Sequence, residues 1–217
     1  MTARVGKANK ASIAELETCV PKTITLKDTT YHMRVAKVTT LSDEEREAVW
    51  QLVSDNMKDM LTKSSLGWND HDKKKEILHR NSRFLLASLP ADDPESTPQK
   101  PNLAAVLVFR FVMEEKQPVA YCYELQVSGA YRRSGLGRAL LSMLSDIGSK
   151  WSMQKVMLTV LQANVSAIHF YKSLGLTLDG FSPGYTDELD GEFKMDSDDE
   201  KDGFDYWILS RVLQRPR

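Results

Sequence analysis

One stretch constrains the fold more than any other: residues 119–140, with the sequence VAYCYELQVSGAYRRSGLGRAL. Its first half alternates and is rich in β-branched and aromatic residues, which predicts a strand. Its second half places Arg132, Gly135 and Gly137 where a helix must begin, and apolar residues then recur at helical spacing. Glycine lets a backbone approach a bulky anion, and the amide groups of a first helical turn point at it. We therefore predict a strand–turn–helix unit that binds a pyrophosphate, the alternative being a turn without a ligand.

The composition is typical of a soluble globular chain. The 217 residues suffice for one domain with a sizeable core, since 41% are hydrophobic and 27% are charged. Because the net charge is −1, any attraction to a basic partner must be local. Cys19 and Cys122 are too few and too far apart for a disulfide framework or a zinc site, which favours a reducing compartment and no metal. We expect neither a membrane span nor a signal peptide, because no apolar run is long enough.

The remaining pattern predicts alternating helices and strands. Residues 1–10 are basic with few apolar side chains, which predicts a disordered or loosely docked start. Strands are predicted at residues 31–38, 83–89, 103–113, 119–127, 156–161 and 206–213. Helices are predicted at residues 11–19, 41–62, 71–82, 136–150 and 164–174, and loops at 90–101 and 179–205. The fold class is mixed α/β or α+β, with an N-terminal segment of residues 1–25 and one domain over residues 26–217.

Glu124 is the candidate general base. It stands in an otherwise apolar and aromatic strand, just before the predicted pyrophosphate turn. Burial makes a carboxylate hold a proton more readily, which suits a base that must take one from an amine. The alternative is a structural carboxylate bonded to a neighbouring loop. In a regular strand Glu124 shares a face with Cys122 and lies opposite Tyr123, whereas a bulge would change this assignment.

These motifs resemble those of a known family. Arg132-x-x-Gly135-x-Gly137 directly after a strand is similar to the acetyl-CoA signature of the GNAT acetyltransferases, whereas the dinucleotide fingerprint is absent. Other motifs resemble the NatD branch, the N-terminal acetyltransferases of histones: YCYE at 121–124, VMLTV at 156–160, Asn164 and YWILS at 206–210. The resemblance spans about residues 109–210. It implies the GNAT fold, a central, mostly antiparallel sheet flanked by helices.

The resemblance implies acetyl-CoA as the cofactor. The backbone at the end of the strand would bond the pantetheine arm as an added strand does. The glycine turn and the start of the helix would hold the pyrophosphate. The residues concerned are Leu125, Gln126, Val127, Arg132, Arg133, Ser134, Gly135, Leu136, Gly137, Arg138 and Asn164.

The resemblance also implies catalytic roles. Glu124 is the base, directly or through a water, with Tyr123 beside it. Tyr171, seven residues after Asn164, is the general acid for the leaving thiol, the alternative being an aromatic core residue. Cys122 has no histidine near it in sequence, so we expect a buried structural thiol and direct transfer rather than an acyl-enzyme.

The acceptor implied by the resemblance is a protein that begins Ser-Gly-Arg-Gly, the basic N-terminal tail of the core histones. The substrate contacts it implies are Tyr121, Tyr123, Glu114, Thr159, Ser182, Tyr206 and Trp68. The acidic residues of 179–205, with Glu114 and Glu115, would form an anionic rim, the alternative being a solvated loop.

Three positions depart from the family pattern. Val112 stands where an acidic residue is expected, so recognition of the arginine would shift to Glu114. Leu61 and Leu66 stand where aromatic residues are expected, which leaves Trp68 as the aromatic residue near the peptide.

Two rival functions fit the same residues. One is a GNAT enzyme for a small amine or an internal lysine, whose amine differs from a terminal one chiefly in reach and in pKa, about 10.4 against about 8. The other is a non-catalytic CoA-binding module. The NatD resemblance further implies a monomer of the cytoplasm and nucleus that binds neither nucleic acid nor membrane directly.

Overall fold

A computed structural model describes residues 3–90, 102–185 and 204–214. The helices in these ranges are α1 (Ala3–Lys10), α2 (Ile13–Glu17), α3 (Asp43–Thr62), α4 (Asp70–Ile77), α5 (Leu136–Lys150) and α6 (Val165–Ser173). The strands are β1 (Thr23–Leu26), β2 (Thr29–Lys37), β3 (Arg83–Ser88), β4 (Leu103–Glu114), β5 (Gln117–Val127), β6 (Lys155–Leu161), β7 (Thr177–Leu178) and β8 (Tyr206–Val212).

The strands form one sheet in the order β1-β2-β3-β4-β5-β6-β8-β7. Every neighbouring pair is antiparallel except β5 and β6, which are parallel. Parallel neighbours need a crossover connection, and α5 provides it. The mixed α/β class and the mostly antiparallel sheet are therefore confirmed, and residues 119–127, the strand half of the stretch 119–140, lie in the interior of the sheet.

Helices cover both faces of this sheet. On one face, α1, α2, α5 and α6 pack in a large apolar cluster that includes Phe109 and Leu144. On the other face, α3 and α4 pack in a smaller cluster through Val53 and Ile77. Strand β4 contributes side chains to both clusters because alternate residues of a strand point to opposite faces of the sheet.

The N-terminal residues depart from the predicted disordered start. Helix α1 buries Val5 and Ala8 in the main core. The side-chain amide of Asn9 donates to the Phe111 carbonyl oxygen over 3.0 Å, and Arg83 donates to the Asn9 carbonyl oxygen over 2.8 Å. Two buried side chains over eight residues are a weak sequence signal, and the contacts that hold the helix are made with distant parts of the chain.

Other elements also differ from the predictions. Helix α4 ends at Ile77 rather than near residue 82, and the short strand β1 was not predicted. The hairpin between β4 and β5 turns at Glu115 and Lys116, with φ of 41° and 66°, and is tighter than predicted. By contrast, α3 begins as predicted, with a capping box between Ser42 and Glu45.

Several predictions fall on parts of the chain outside the described residues. These are most of the loop at 90–101 and most of the acidic stretch at 179–205. In the part that is described, no helix has the length and apolar character needed to cross a membrane. The same part holds no group of three or more His, Cys, Asp or Glu side chains arranged for a metal ion.

Candidate active site

Strands β5 and β6 separate at the centre of the sheet. They pair from Val119 with Lys155 to Cys122 with Leu158, and both strands then continue without further pairing between them. The gap opens into a cavity of about 440 Å³, lined by residues of α3, α4, β5, β6, α6 and β8. Beyond Cys122, the β6-facing edge of β5 can therefore bond an extended ligand.

A β-bulge in β5 decides which side chains face the cavity. Val108 of β4 pairs with Glu124, but the next residue, Phe109, pairs with Cys122, so Tyr123 is the extra residue. Glu124 consequently lies on the face covered by α3 and α4, while Cys122 packs in the cluster on the opposite face. Of the two alternatives left open by the sequence, the strand with a bulge is therefore the one observed, and Glu124 and Cys122 lie on opposite faces.

Glu124 is buried and both of its carboxylate oxygens have partners. Its side chain is 5% exposed, and Nζ of Lys73 in α4 lies 2.7 Å from Oε1. The side-chain amide of Gln126 donates to Oε2 over 2.9 Å. The carboxylate thus combines the two alternatives drawn from the sequence, because it lines the cavity and is also bonded to a neighbouring element.

Lys73 joins two carboxylates. Its ammonium lies 2.6 Å from Oε2 of Glu76 as well as 2.7 Å from Glu124. Burial lowers the pKa of Lys73, but the charges of Glu124 and Glu76 outweigh burial, and the pKa is raised above its ordinary value. Lys73 therefore carries its positive charge at neutral pH.

A chain of hydrogen bonds connects Glu124 to the glycine turn. The Asn56 side-chain amide donates to Oε1 of Gln126 over 3.0 Å and to the Val127 carbonyl oxygen over 3.2 Å. The Arg132 guanidinium in turn donates to Oδ1 of Asn56 over 2.7 Å. The Arg132 side chain is therefore bound within the protein at the edge of the turn.

Sequence reasoning missed Asn56, Lys73 and Glu76. Asn56 follows Leu52 by four residues and so lies on the apolar side of α3. Lys73 precedes the buried Ile77 by four residues and so points to the same inner side of α4. Both Asn56 and Lys73 are polar residues on the apolar face of a helix, and this pattern in the sequence could have indicated them as site residues.

A second cavity, of about 560 Å³, extends from this site to the glycine turn. Ten of the eleven predicted cofactor residues line it: Leu125, Gln126, Val127, Arg132, Arg133, Gly135, Leu136, Gly137, Arg138 and Asn164. Ser134 does not, and its hydroxyl instead accepts from the Leu136 amide over 3.3 Å. The two cavities share wall residues, among them Gln126 and Tyr171, so they lie next to each other.

The turn requires glycine at two positions for different structural reasons. Gly135 is the residue before α5 and has φ of 103°, a conformation that other residues adopt only under strain. At Gly137 a Cβ atom would lie 3.1 Å from the Phe170 ring, so this glycine lets α6 pack closely on α5. Together they shape the groove at the helix start, where amide groups and the helix dipole favour an anion. The described residues therefore fit the acetyl-CoA that the sequence motif implies.

Tyr171 and Cys122 both keep their protons at neutral pH. Burial, with smaller contributions from Cys122 and Glu124, raises the pKa of Tyr171 well above its ordinary range. Burial also raises the pKa of the Cys122 thiol, which donates to the Glu124 carbonyl oxygen over 3.4 Å. Tyr171 lines both cavities and can act as a donor, whereas Cys122 has the environment of a structural thiol.

Four predicted acceptor residues line the 440 Å³ cavity: Tyr121, Tyr123, Thr159 and Tyr206. The Tyr121 hydroxyl lies 2.6 Å from Oγ1 of Thr159, and burial raises the pKa of Tyr121 to about 12. The Arg110 guanidinium stacks 3.9 Å from the centre of the Tyr123 ring and so holds the bulged residue in place.

Glu114 lies in an adjoining cavity of about 280 Å³, with Glu115, Tyr121 and Tyr123 in its wall. Burial and the charge of Glu115 raise the pKa of Glu114. Two neighbouring carboxylates next to aromatic rings favour a cationic guest.

The structure places two predicted substrate residues away from these cavities. Ser182 is buried, where its hydroxyl accepts from the Ile208 amide over 3.0 Å and donates to the Pro183 carbonyl oxygen over 3.3 Å. Trp68 stacks on Trp50 at 5.6 Å between ring centroids and does not line a described cavity.

Two other details of the predicted acceptor site change. Leu61 and Leu66, rather than Trp68, line the cavity. Asp179 cannot form part of an acidic rim, since it is fully buried and pairs with Lys155 at 2.8 Å.

The sequence pattern of the acetyltransferase (GNAT) family matches residues 50–176, which is more than half of the chain. The chain belongs to the GNAT acetyltransferase family. The separated β5 and β6 and the glycine turn before α5 both lie within the matched residues. This is the fold that the resemblance predicted.

This GNAT chain is similar to the ribosomal protein bS18-alanine N-acetyltransferase of Escherichia coli K12, with 33% identity over 93 residues. The match covers 43% of the chain and spans 60% of the length of that relative. Two solved structures are similar at TM-scores of 0.55: Arabidopsis thaliana NAA60 with a bisubstrate analogue, and the NatC complex bound to Gag peptide and CoA. They are 16% and 14% identical, and each comparison covers 84% of this chain and 99% of the other. At such identities the likeness concerns the fold alone.

Proposed function

We propose that this GNAT protein transfers the acetyl group of acetyl-CoA to the N-terminal α-amine of a protein. One observation carries the proposal: Glu124, buried and hydrogen-bonded, lines the 440 Å³ cavity directly before Leu125 and Gln126, which line both cavities. A thioester held along the glycine-turn groove and an amine entering through the 440 Å³ cavity would therefore meet at a carboxylate. Similarity to a relative named for an alanine of ribosomal protein bS18 supports a protein amine as the acceptor.

The residues of the site supply both proton transfers. Bound acetyl-CoA supplies a thioester whose carbonyl carbon takes up the amine as its carbon–sulfur bond breaks. Glu124 accepts the proton that the amine loses, directly or through a water. Tyr171, which keeps its proton because it is buried, donates to the departing sulfur. The unpaired edge of β5 beyond Cys122 holds the extended arm of the donor.

For the acceptor we propose the Ser-Gly-Arg-Gly tail of core histones. The 440 Å³ cavity, lined by tyrosines and Thr159, would take the first residue of that tail. The cavity with Glu114 and Glu115 adjoins it through Tyr121 and Tyr123 and would take the guanidinium two residues later. A histone acceptor is consistent with a monomer of the cytoplasm and nucleus, which we propose as its state and location.

Transfer of labelled acetyl to three peptides tests this proposal. The first begins Ser-Gly-Arg-Gly, the second is the same peptide with a blocked N-terminus, and the third has the first four residues scrambled. We expect the label on the first peptide alone. Label on the blocked peptide would move the activity to lysine, and equal label on the scrambled peptide would refute selectivity for the tail.

The Glu124→Gln variant tests whether Glu124 is the base. Glutamine keeps the size of the side chain but cannot take a proton, so we expect transfer to fall by about 10²- to 10⁴-fold. Binding of CoA, measured by calorimetry, should stay unchanged. An active Glu124→Gln variant would remove Glu124 from the role of base.

A further inference from the structure

Lys73 contacts the carboxylate of Glu124, the candidate base. It is the cationic partner of Glu124, at 2.7 Å, and its side chain is only 18% exposed. No sequence motif assigns a role to this lysine, and its helix, α4, lies on the face of the sheet opposite the glycine turn's helix α5. A buried pair in this position costs desolvation, so it is weak evidence for a purely stabilising role.

Among the groups near Glu124, Lys73 is the cation that contacts its carboxylate. Helix α3 contributes Met57 and Leu61 to this part of the cavity, which are apolar. The other titratable groups that line this cavity are Glu76 of α4, Tyr121, Cys122 and Tyr123 of β5, Tyr171 of α6 and Tyr206 of β8, and Arg110 of β4 lies against the Tyr123 ring. Cys122 and Tyr171 are neutral at neutral pH, and Arg110 is occupied by the Tyr123 ring, Ser82 and the Glu76 carbonyl oxygen.

We propose that Lys73 is a positioning residue for Glu124, one that fixes the direction of the carboxylate and supplies its counter-charge. Lys73 holds Oε1 and Gln126 holds Oε2, so the plane of the carboxylate is set from two sides. Glu76 holds Lys73 from its other side at 2.6 Å, which keeps the ammonium from following the substrate. This inference rests on the proposed function, in which Glu124 is the base.

The positive charge of Lys73 determines the direction in which the titration of Glu124 should change when the lysine is replaced. A buried carboxylate without a cation takes up a proton more readily, and an opposite charge within about 4–6 Å opposes this by roughly one to three pH units. Lys73→Met removes the charge but keeps most of the length of the side chain. Glu124 should therefore bind its proton at a higher pH in this variant, and the acidic limb of kcat/KM should move up with it.

The test titrates Glu124 by NMR in protein labelled with ¹³C at the glutamate carboxyl groups, with Glu124→Gln to assign the signal. In Lys73→Met we expect the titration midpoint of Glu124 about one unit or more above that of the wild-type chain. Lys73→Arg, which restores the charge, should return the midpoint towards the wild-type value. Lys75→Met, an exposed position on the same helix, should leave it unchanged. An unchanged midpoint in Lys73→Met would overturn the inference.

Kinetics add a second readout that separates positioning from general damage. With Lys73→Met, kcat/KM for the Ser-Gly-Arg-Gly peptide should be lowest at acidic pH and recover as the pH rises. A loss of equal size at every pH that Lys73→Arg does not restore would mean that Lys73 only supports the structure. The NMR result does not depend on turnover, so a wild-type chain that acetylates no peptide would refute the proposed function and leave the Lys73 inference to be decided by the titration.

Discussion

Glu124 and Tyr171 line one cavity from different elements and would move protons in opposite directions. Glu124, from the bulged part of β5, has a cation and an amide on its oxygens and would accept a proton. Tyr171, from α6, is 9% exposed, and burial raises its pKa, which favours the form that can donate one. The side chains differ in role because their neighbours differ, and each role can be removed by changing one functional group.

Tyr171→Phe removes the donor and keeps the ring. We expect kcat to fall by about 10²-fold, because the leaving sulfur would depart without a proton donor. Binding of CoA should be nearly unchanged, since the ring still lines the groove. Single-turnover kinetics with the tail peptide would measure the effect. Tyr31→Phe, at a buried tyrosine outside the cavities, is the control, and an equal loss there would point to packing rather than proton transfer.

Among the elements, the β5–turn–α5 unit depends most on local sequence. Its strand, its glycine turn and its helix were all predicted, because alternation, glycine at a helix start and helical periodicity act within about twenty residues. The bulge at Tyr123 and the helical state of Ala3–Lys10 were not predicted, since both depend on contacts with distant strands. The same reason applies to the site, where Lys73 and Asn56 come from helices that precede β5 by many residues.

The Gly135→Ala variant tests whether the turn before α5 requires glycine for its backbone conformation. Alanine at φ of 103° is strained by about 1–2 kcal/mol, so we expect a lower free energy of unfolding and weaker binding of CoA. Chemical denaturation and calorimetry would measure the two effects. Gly129→Ala is the control, because a Cβ there meets no atom within 4 Å and the backbone is not in the left-handed region. Equal effects at Gly129 and Gly135 would contradict the conformational explanation.

For the whole molecule, the ion pair of Lys155 and Asp179 joins β6 to the segment after β7. The Asp179 side chain is fully buried, and its Oδ1 also accepts from the Phe181 amide over 3.1 Å. Burial raises the pKa of Asp179, but the hydrogen bonds and charge of Lys155, with Ser210 and Phe181, outweigh burial and lower the pKa below its ordinary value. The pair therefore ties β6 to the segment with Phe181, which lines the 280 Å³ cavity.

The lowered pKa of Asp179 predicts a pH-dependent stability. The stabilisation is fully present above the unfolded pKa of about 3.9 and is lost as the pH falls through the folded value. Asp179→Asn should therefore lower the free energy of unfolding by about 2 kcal/mol at pH 7, with the difference from wild type shrinking towards pH 3. Urea unfolding at several pH values would measure it. Asp146→Asn, an exposed position on α5, should show no such trend, and a constant difference for Asp179→Asn would contradict the explanation.

The order of strands in the sheet has a consequence for how the protein is made. Strand β8 inserts between β6 and β7, although it follows every other described element in the chain. The glycine turn, α5 and α6 are thus synthesised before Tyr206 and Ile208, which complete the wall of the 440 Å³ cavity. A growing chain on the ribosome can assemble its donor groove first and acquires its acceptor wall only when β8 has emerged. If the proposed function holds, selectivity for the amine is then the last property that the nascent protein gains.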